Sequence, residues 1–187
     1  MKGEMVKLSI FAVVSAALIY ISRASLRAPR SHGFYRFFAW ECILALALLN
    51  AQDWFRDPFS VRQLISWLLL ISSVFLVVEG AYRLRRSGKP GSRKADNAPE
   101  LDFEKTTVLV TGGIFKYIRH PLYSSLLFLA WGTFLKAPSP VGGLLAGGAT
   151  LFLLAAAKIE ERENIRYFGA AYQRYMKRTR LFIPFLF

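Results

Sequence analysis

Five apolar blocks separated by charged stretches dominate the sequence. They cover residues 8–22, 37–52, 63–82, 121–135 and 141–157. Crossing a bilayer takes roughly 17–25 apolar residues, a length that the third block satisfies easily and the fifth just reaches. The other three blocks span only if each helix continues into its flanks or if flanking Arg and Lys side chains snorkel. The pattern predicts an all-α, polytopic membrane bundle of about five transmembrane helices with a cytoplasmic C-terminal helix.

The first block has a second interpretation as a signal peptide, because it is short and basic residues precede it. Arg23, Arg27 and Arg30 follow it closely, and such charges resist export. A membrane span is therefore favoured over a signal peptide.

The 187 residues suffice for one domain, are 54% hydrophobic and carry a formal net charge of +13. We treat 1–187 as a single integral-membrane domain, with three spans and a basic linker in 1–105 and a motif-bearing region in 106–187. The charges lie between the apolar blocks, a pattern of membrane proteins rather than of nucleic-acid binders. The expected partners are therefore membrane lipids and no nucleic acid, and the oligomeric state stays open.

Metal and disulfide chemistry is not expected. Cys42 is the sole cysteine of the chain, which excludes an intramolecular disulfide and an all-cysteine zinc site. His32 and His120 are the two histidines, and they lie in different segments. We therefore predict no metal.

The basic residues predict the orientation. The terminal and connecting segments on one side of the predicted membrane carry 20 Lys and Arg residues, and those on the other side carry five. By the positive-inside rule the N-terminus lies outside and the C-terminus is cytoplasmic. Residues 83–106, rich in charge, Gly, Pro and Ser, are predicted to form a flexible linker near anionic headgroups.

The C-terminal segment is predicted to be helical over residues 158–178. Glu161, Ile165, Phe168, Tyr172 and Tyr175 recur there at spacings of one helix face. The tail that follows, "LFIPFLF", is apolar, and its proline prevents a regular helix. We expect the tail to pack on the bundle or to lie in the membrane interface.

Polar features converge on the predicted cytoplasmic side. In "TTVLVTGGIF" the Val-Leu-Val core has extended character, and two glycines make a turn. In "KYIRHPLY" Pro121 suits the first turn of a helix, which places His120 near its cap. A helix N-terminus beside Arg119 and His120 accepts an anion, and the adjacent Glu160 and Glu161 accept an ammonium. The set suits a zwitterionic ligand, although Arg119 as an inside anchor and the glutamates as helix solvation are simpler alternatives.

Two of these motifs together resemble a known group. "LVTGGIFKYIRHPLY", followed further along by "EERENIRYFGAAYQRY", resembles the integral-membrane methyltransferases of the isoprenylcysteine carboxyl methyltransferase and phospholipid methyltransferase group, over residues 106–184. The resemblance implies S-adenosyl-L-methionine as cofactor. By the pattern of the group, the implied cofactor-binding residues are Val108, Leu109, Val110, Phe115, His120, Pro121, Leu122, Tyr123 and Glu160.

The resemblance also implies methyl transfer to a lipophilic small molecule or lipid. Such an in-line displacement depends largely on positioning the two reactants. Isoprenylcysteine enzymes carry an arginine for the substrate carboxylate where this chain has Ala156, which disfavours that acceptor. An amine acceptor needs a general base, for which Glu161 or Tyr123 is predicted as the catalytic residue. Phospholipid headgroup N-methylation and a non-catalytic protein that keeps the fold remain alternatives.

Overall fold

The computed structural model describes residues 2–88 and 106–184, which confirm the predicted all-α class. Two short 3-10 turns, Ala51–Asp53 and Gly113–Lys116, lie between the longer helices. The α-helices of the described residues are α1 (Lys2–Leu26), α2 (His32–Leu49), α3 (Val61–Ser87), α4 (Pro121–Phe134), α5 (Pro140–Phe168) and α6 (Ala170–Arg178).

Local sequence signals set where the helices begin. The hydroxyls of Ser31, Ser60 and Ser139 each accept a hydrogen bond from the backbone N–H three residues on, at 3.3, 3.4 and 3.0 Å. Such caps satisfy amides that the first turn leaves without partners. Helix α4 begins instead with Pro121, directly after His120. The predicted helix start at this proline is confirmed.

Four of the described helices, α1, α2, α3 and α5, are long and apolar enough to cross a membrane. Helix α4 has 14 residues, roughly 21 Å at 1.5 Å per residue, which falls short of a hydrocarbon core of roughly 30 Å. The structure therefore provides four candidate spans where the sequence predicts about five.

Although short, α4 packs alongside α3 between Ser66 and Gly80. A Cβ at Gly80 of α3 would lie 3.3 Å from the Pro121 ring, and one at Gly132 of α4 would lie 3.0 Å from Leu70. Ser66 of α3 also donates to the carbonyl of Gly132 at 2.6 Å. Because glycines allow this close approach, α4 packs tightly against α3 over its whole length.

The C-terminal helical segment is interrupted. Residues 158–178 are predicted as one helix, but α5 ends at Phe168 and α6 begins at Ala170. Between them Gly169 has φ +59°, a backbone conformation that favours glycine. The predicted linker is also corrected, since residues 83–87 continue α3, while its residues 89–105 lie outside the described residues.

The chain's C-terminal tail packs on the bundle, as predicted. Leu181 and Phe182 are buried in the core with residues of α2, α4 and α5. The carbonyl of Phe182 accepts from the Ser124 hydroxyl at 2.8 Å, and the backbone of Arg180 pairs with Ile118 as a parallel bridge. These contacts fix the segment before α4 against the tail, while residues 185–187 lie outside the described residues.

Candidate functional site

A cavity lies at the end of the bundle where α4 begins and α5 ends. Carboxylate, imidazole and aromatic groups line it together with aliphatic side chains. The lining residues are His32, Leu84, Thr106, Leu109, Val110, Phe115, Arg119, His120, Pro121, Leu122, Tyr123, Glu160, Asn164, Phe168, Tyr172 and Tyr175.

The structure brings most of the predicted cofactor-binding residues to this cavity. Those that line it are Leu109, Val110, Phe115, His120, Pro121, Leu122, Tyr123 and Glu160. Val108 does not line it, and its side chain is exposed. The predicted Gly-Gly turn is present at the cavity's edge, since Gly113 has φ +61° and packs against the ion pair between Glu79 and Arg83.

His120 is held at the N-terminus of α4. Its backbone N–H donates to the carbonyl of Leu181 at 3.2 Å, and its ring stacks on Tyr123 with centroids 5.4 Å apart. The buried Nε2 has no hydrogen-bond partner among the described residues. Burial lowers the pKa of His120, against the opposing charges of Glu160 and Glu161. The imidazole is therefore neutral at neutral pH.

Glu160 faces His120 across the cavity. Its Oε1 lies 3.7 Å from Nδ1 of His120, and Tyr123 interacts with the same carboxylate. Its side chain keeps 30% of its surface exposed. The carboxylate is thus oriented by its neighbours and still accessible from the cavity.

Glu161 points elsewhere. Its Oε1 accepts from Nε of Arg119 at 2.8 Å, and its Oε2 accepts from Lys158 at 3.1 Å. Its side chain is buried and does not line the cavity. A catalytic role for Glu161 stays a prediction, and the contacts it makes are structural.

The interpretation of Arg119 as an inside anchor is wrong. Its side chain is only 9% exposed, whereas an anchoring cation extends to the headgroups. Besides Glu161, it donates to the backbone carbonyls of Met176, at 3.2 Å, and of Thr179. Arg119 therefore ties the segment before α4 to α5 and to the end of α6.

Further cavity residues were not predicted as site residues. Asn164 hydrogen-bonds to Tyr172. It lies one helical turn after Glu160, and this spacing was the sequence signal that could have identified it as a site residue. Tyr175 donates to the carbonyl of Phe115 at 2.7 Å. Burial raises the pKa of Tyr172 and of Tyr175, so both phenols stay protonated at neutral pH.

Among the cavity residues that were not predicted, His32 lies furthest in sequence from the predicted motifs. Its Nδ1 lies 2.6 Å from Oε2 of Glu163, which is 131 residues away. No local pattern in the sequence links these two positions. The structure thus places both histidines of the chain on the same cavity.

Ala156 lies outside the cavity. It is fully buried in the core beside Tyr123, Leu127 and Leu153. No cation therefore stands at the position where the resemblance leads one to look for a carboxylate-binding arginine.

Comparison with known proteins agrees with this geometry. The sequence profile of the phospholipid methyltransferase family matches residues 61–171. Methanethiol S-methyltransferase 2 of Bradyrhizobium diazoefficiens is 38% identical over 76 residues, which cover 40% of this chain and 28% of that protein. Human protein-S-isoprenylcysteine O-methyltransferase is 26% identical over 124 residues, which cover 65% of this chain and 43% of that protein. The match spans less than half the length of either relative, and no solved structure matches the chain.

The family match includes most of the cavity. Residues 61–171 contain the turn at Gly113, the start of α4 at Pro121 and the carboxylate of Glu160. The match covers more than half of the chain, and the relatives are methyltransferases. The chain therefore belongs to the phospholipid methyltransferase family.

Proposed function

We propose that this protein transfers a methyl group from S-adenosyl-L-methionine to a lipophilic acceptor. The observation that carries the proposal is the cavity lined by Glu160 and His120, in which the buried Nε2 of His120 has no hydrogen-bond partner among the described residues. A buried polar atom without a partner costs free energy, and a bound ligand removes that cost. We further propose that the cavity opens to the cytoplasm, as the positive-inside rule predicts.

The residues present fit this cofactor. Glu160 offers a carboxylate to the ammonium group, and the amides at the start of α4 favour a carboxylate. Aromatic rings of Phe115, Phe168 and Tyr172 line the same cavity and attract a sulfonium or stack on a purine. When bound, the cofactor supplies a methyl group on a positively charged sulfur. Val108, whose side chain lies outside the cavity, is left out of the proposed set.

The chain's own contribution is positioning and exclusion of water. The stacked rings of His120 and Tyr123 form one wall, and the tail holds the backbone of His120 in place. Tyr172 and Tyr175, which also line the cavity, carry no charge at neutral pH. A fixed, water-poor pocket favours displacement at a sulfonium, because the reactants are held in line.

The acceptor is proposed to lack a carboxylate. A prenylcysteine carboxylate would have no cation at Ala156, which is buried in the core. Several relatives are named for a thiol acceptor, methanethiol. Phospholipid headgroup N-methylation is the second candidate, since the matching family carries that name.

Titration calorimetry on the purified chain in detergent tests the cofactor. We expect saturable binding of S-adenosyl-L-methionine, weakened by His120→Ala without loss of the folded state. A folded protein that does not bind the cofactor would instead support a non-catalytic member of the family.

Incubation of membranes with methyl-labelled cofactor tests the acceptor. We expect label in a small lipophilic product, and membranes without the protein serve as the control. Label in phospholipid headgroups would establish the second candidate.

A further inference from the structure

The hydrogen bond between His32 and Glu163 has no part in the cofactor set described above. His32 is the first residue of α2, directly after the capping Ser31, and only 2% of its surface is exposed. Its Nδ1 lies 2.6 Å from Oε2 of Glu163 on α5. The imidazole also lines the cavity. A buried histidine is thus held by a carboxylate at the wall of the proposed site.

This contact determines which nitrogen of His32 is available. Nδ1 bound to a carboxylate carries the proton, which leaves the lone pair on Nε2. A carboxylate behind an imidazole orients the ring and stabilises the protonated form. The charged and titratable groups around His32 are Glu160 and Glu163 on α5, Arg36 on α2 and His120 before α4. The arrangement is that of a general base.

The two bases predicted from the sequence, Glu161 and Tyr123, are both engaged in other contacts. Both carboxylate oxygens of Glu161 are bound by Arg119 and Lys158. Tyr123 is engaged with Glu160, and a neutral phenol accepts a proton poorly. Of the two histidines that line the cavity, His32 has its Nδ1 within hydrogen-bonding distance of a carboxylate, 2.6 Å from Glu163, whereas Nδ1 of His120 lies 3.7 Å from Glu160.

Building on the proposed function, we infer that His32 is the general base of methyl transfer and that the acceptor is a lipophilic thiol. A carboxylate acceptor is already ionised and needs no base. An acceptor that arrives protonated must lose its proton before it attacks, and several relatives are named for a thiol acceptor, methanethiol. A base at His32 therefore suits a thiol.

The step balances without any further reactant. Nε2 of His32 takes the proton of the acceptor S–H, which leaves a thiolate. The thiolate forms a new S–CH₃ bond and displaces the donor sulfur, which keeps the electron pair of the broken C–S bond and becomes a neutral thioether. The proton on His32 then leaves to solvent, and Glu163 has stabilised the imidazolium meanwhile.

Two thiols of different acidity test the inference. With 1-octanethiol as acceptor, we expect His32→Gln to lower kcat by about 100-fold or more, the usual contribution of a general base. With benzenethiol, which is largely ionised at neutral pH, the same variant should lose less than about tenfold. Affinity for S-adenosyl-L-methionine, measured by calorimetry, should stay within about threefold of wild type.

Glu163→Gln is the matched variant, since it keeps the imidazole and removes its carboxylate. We expect about a tenfold loss with 1-octanethiol and almost none with benzenethiol. If His32→Gln fails to fold, the contrast between the two thiols in this variant carries the test.

Equal losses with both thiols, or a loss that follows cofactor affinity, would show that His32 is structural and overturn the inference. Transfer to phospholipid amines or to carboxylates, with neither thiol methylated, would overturn it while leaving the proposed function intact. A folded wild-type protein that does not bind the cofactor would remove both.

Discussion

The two ends of the bundle each bury a cation, and they stabilise it in different ways. At the cavity end, Arg119 forms a salt bridge with Glu161 at 2.8 Å. At the opposite end, the fully buried Lys136 donates to Oε1 of Gln63 at 3.0 Å and lies 3.4 Å from the ring centroid of Trp67. In the part of the chain that the structure describes, no salt bridge involves Lys136.

The difference separates a charged pair from a buried cation without a carboxylate partner. Removing one partner of a buried pair leaves the other charge uncompensated. Removing Lys136 leaves a neutral amide and two indole rings, and it takes away a charge of the same sign as the nearby Arg62. Burial lowers the pKa of Lys136, and the nearby Arg62 adds to the effect. The polar groups at the far end contact one another, whereas those at the cavity end remain accessible to a ligand.

The largest expected effect is that of Arg119→Met on stability. The variant leaves the buried Glu161 with Lys158 alone and removes the contacts to the end of α6. We expect a loss of about 3–5 kcal/mol in the free energy of unfolding, measured by denaturant unfolding in detergent. Arg178→Met, at an exposed position, should change it by less than about 0.5 kcal/mol. Similar small effects in both variants would mean that the pair with Glu161 contributes little.

The second-largest expected effect is that of Glu160→Gln on affinity for the cofactor. Hydrogen bonds to charged groups contribute about 1.5–3 kcal/mol, so affinity for S-adenosyl-L-methionine should fall by about 10- to 150-fold. Calorimetry measures this loss directly. Glu161→Gln is the matched neighbour and should lower stability while leaving affinity nearly unchanged. The reverse result would exchange the roles of the two glutamates.

The sequence predicted the start of α4 and the Gly-Gly turn because those signals are local, and it predicted most of the cavity residues through the resemblance of its motifs to a known group. Pro121 at a helix start and the Gly-Gly turn depend on backbone preferences of single residues. The ion pair of His32 with Glu163 could not be predicted, since it joins residues 131 apart. Arg119 was misinterpreted as an inside anchor for the same reason, because its carboxylate partner lies on a distant helix.

A smaller effect concerns pH and His120. Because burial lowers the pKa of His120, the unfolded chain binds a proton below about pH 6.5 more readily than the folded chain does. Stability is therefore fully present above that pH and falls as the pH drops towards the folded pKa. The slope from this residue is at most about 1.4 kcal/mol per pH unit. We expect the melting temperature to fall less between pH 7.5 and 5.5 in His120→Gln than in wild type, and an unchanged pH dependence would contradict the assignment.

The smallest effect is expected for Lys136→Met, the counterpart of Arg119→Met. Methionine keeps much of the side-chain volume, so no large cavity forms. The variant loses the hydrogen bond to Gln63 and the contact with Trp67, but it also removes the desolvation cost of a buried ammonium. These opposing changes should leave the free energy of unfolding within about 1 kcal/mol of wild type, with cofactor affinity unaltered. Lys136→Ala, which removes the packing as well, should cost about 2–5 kcal/mol. If Lys136→Met is as damaging as Arg119→Met, the ammonium itself stabilises the far end, and the contrast between the two buried cations does not hold.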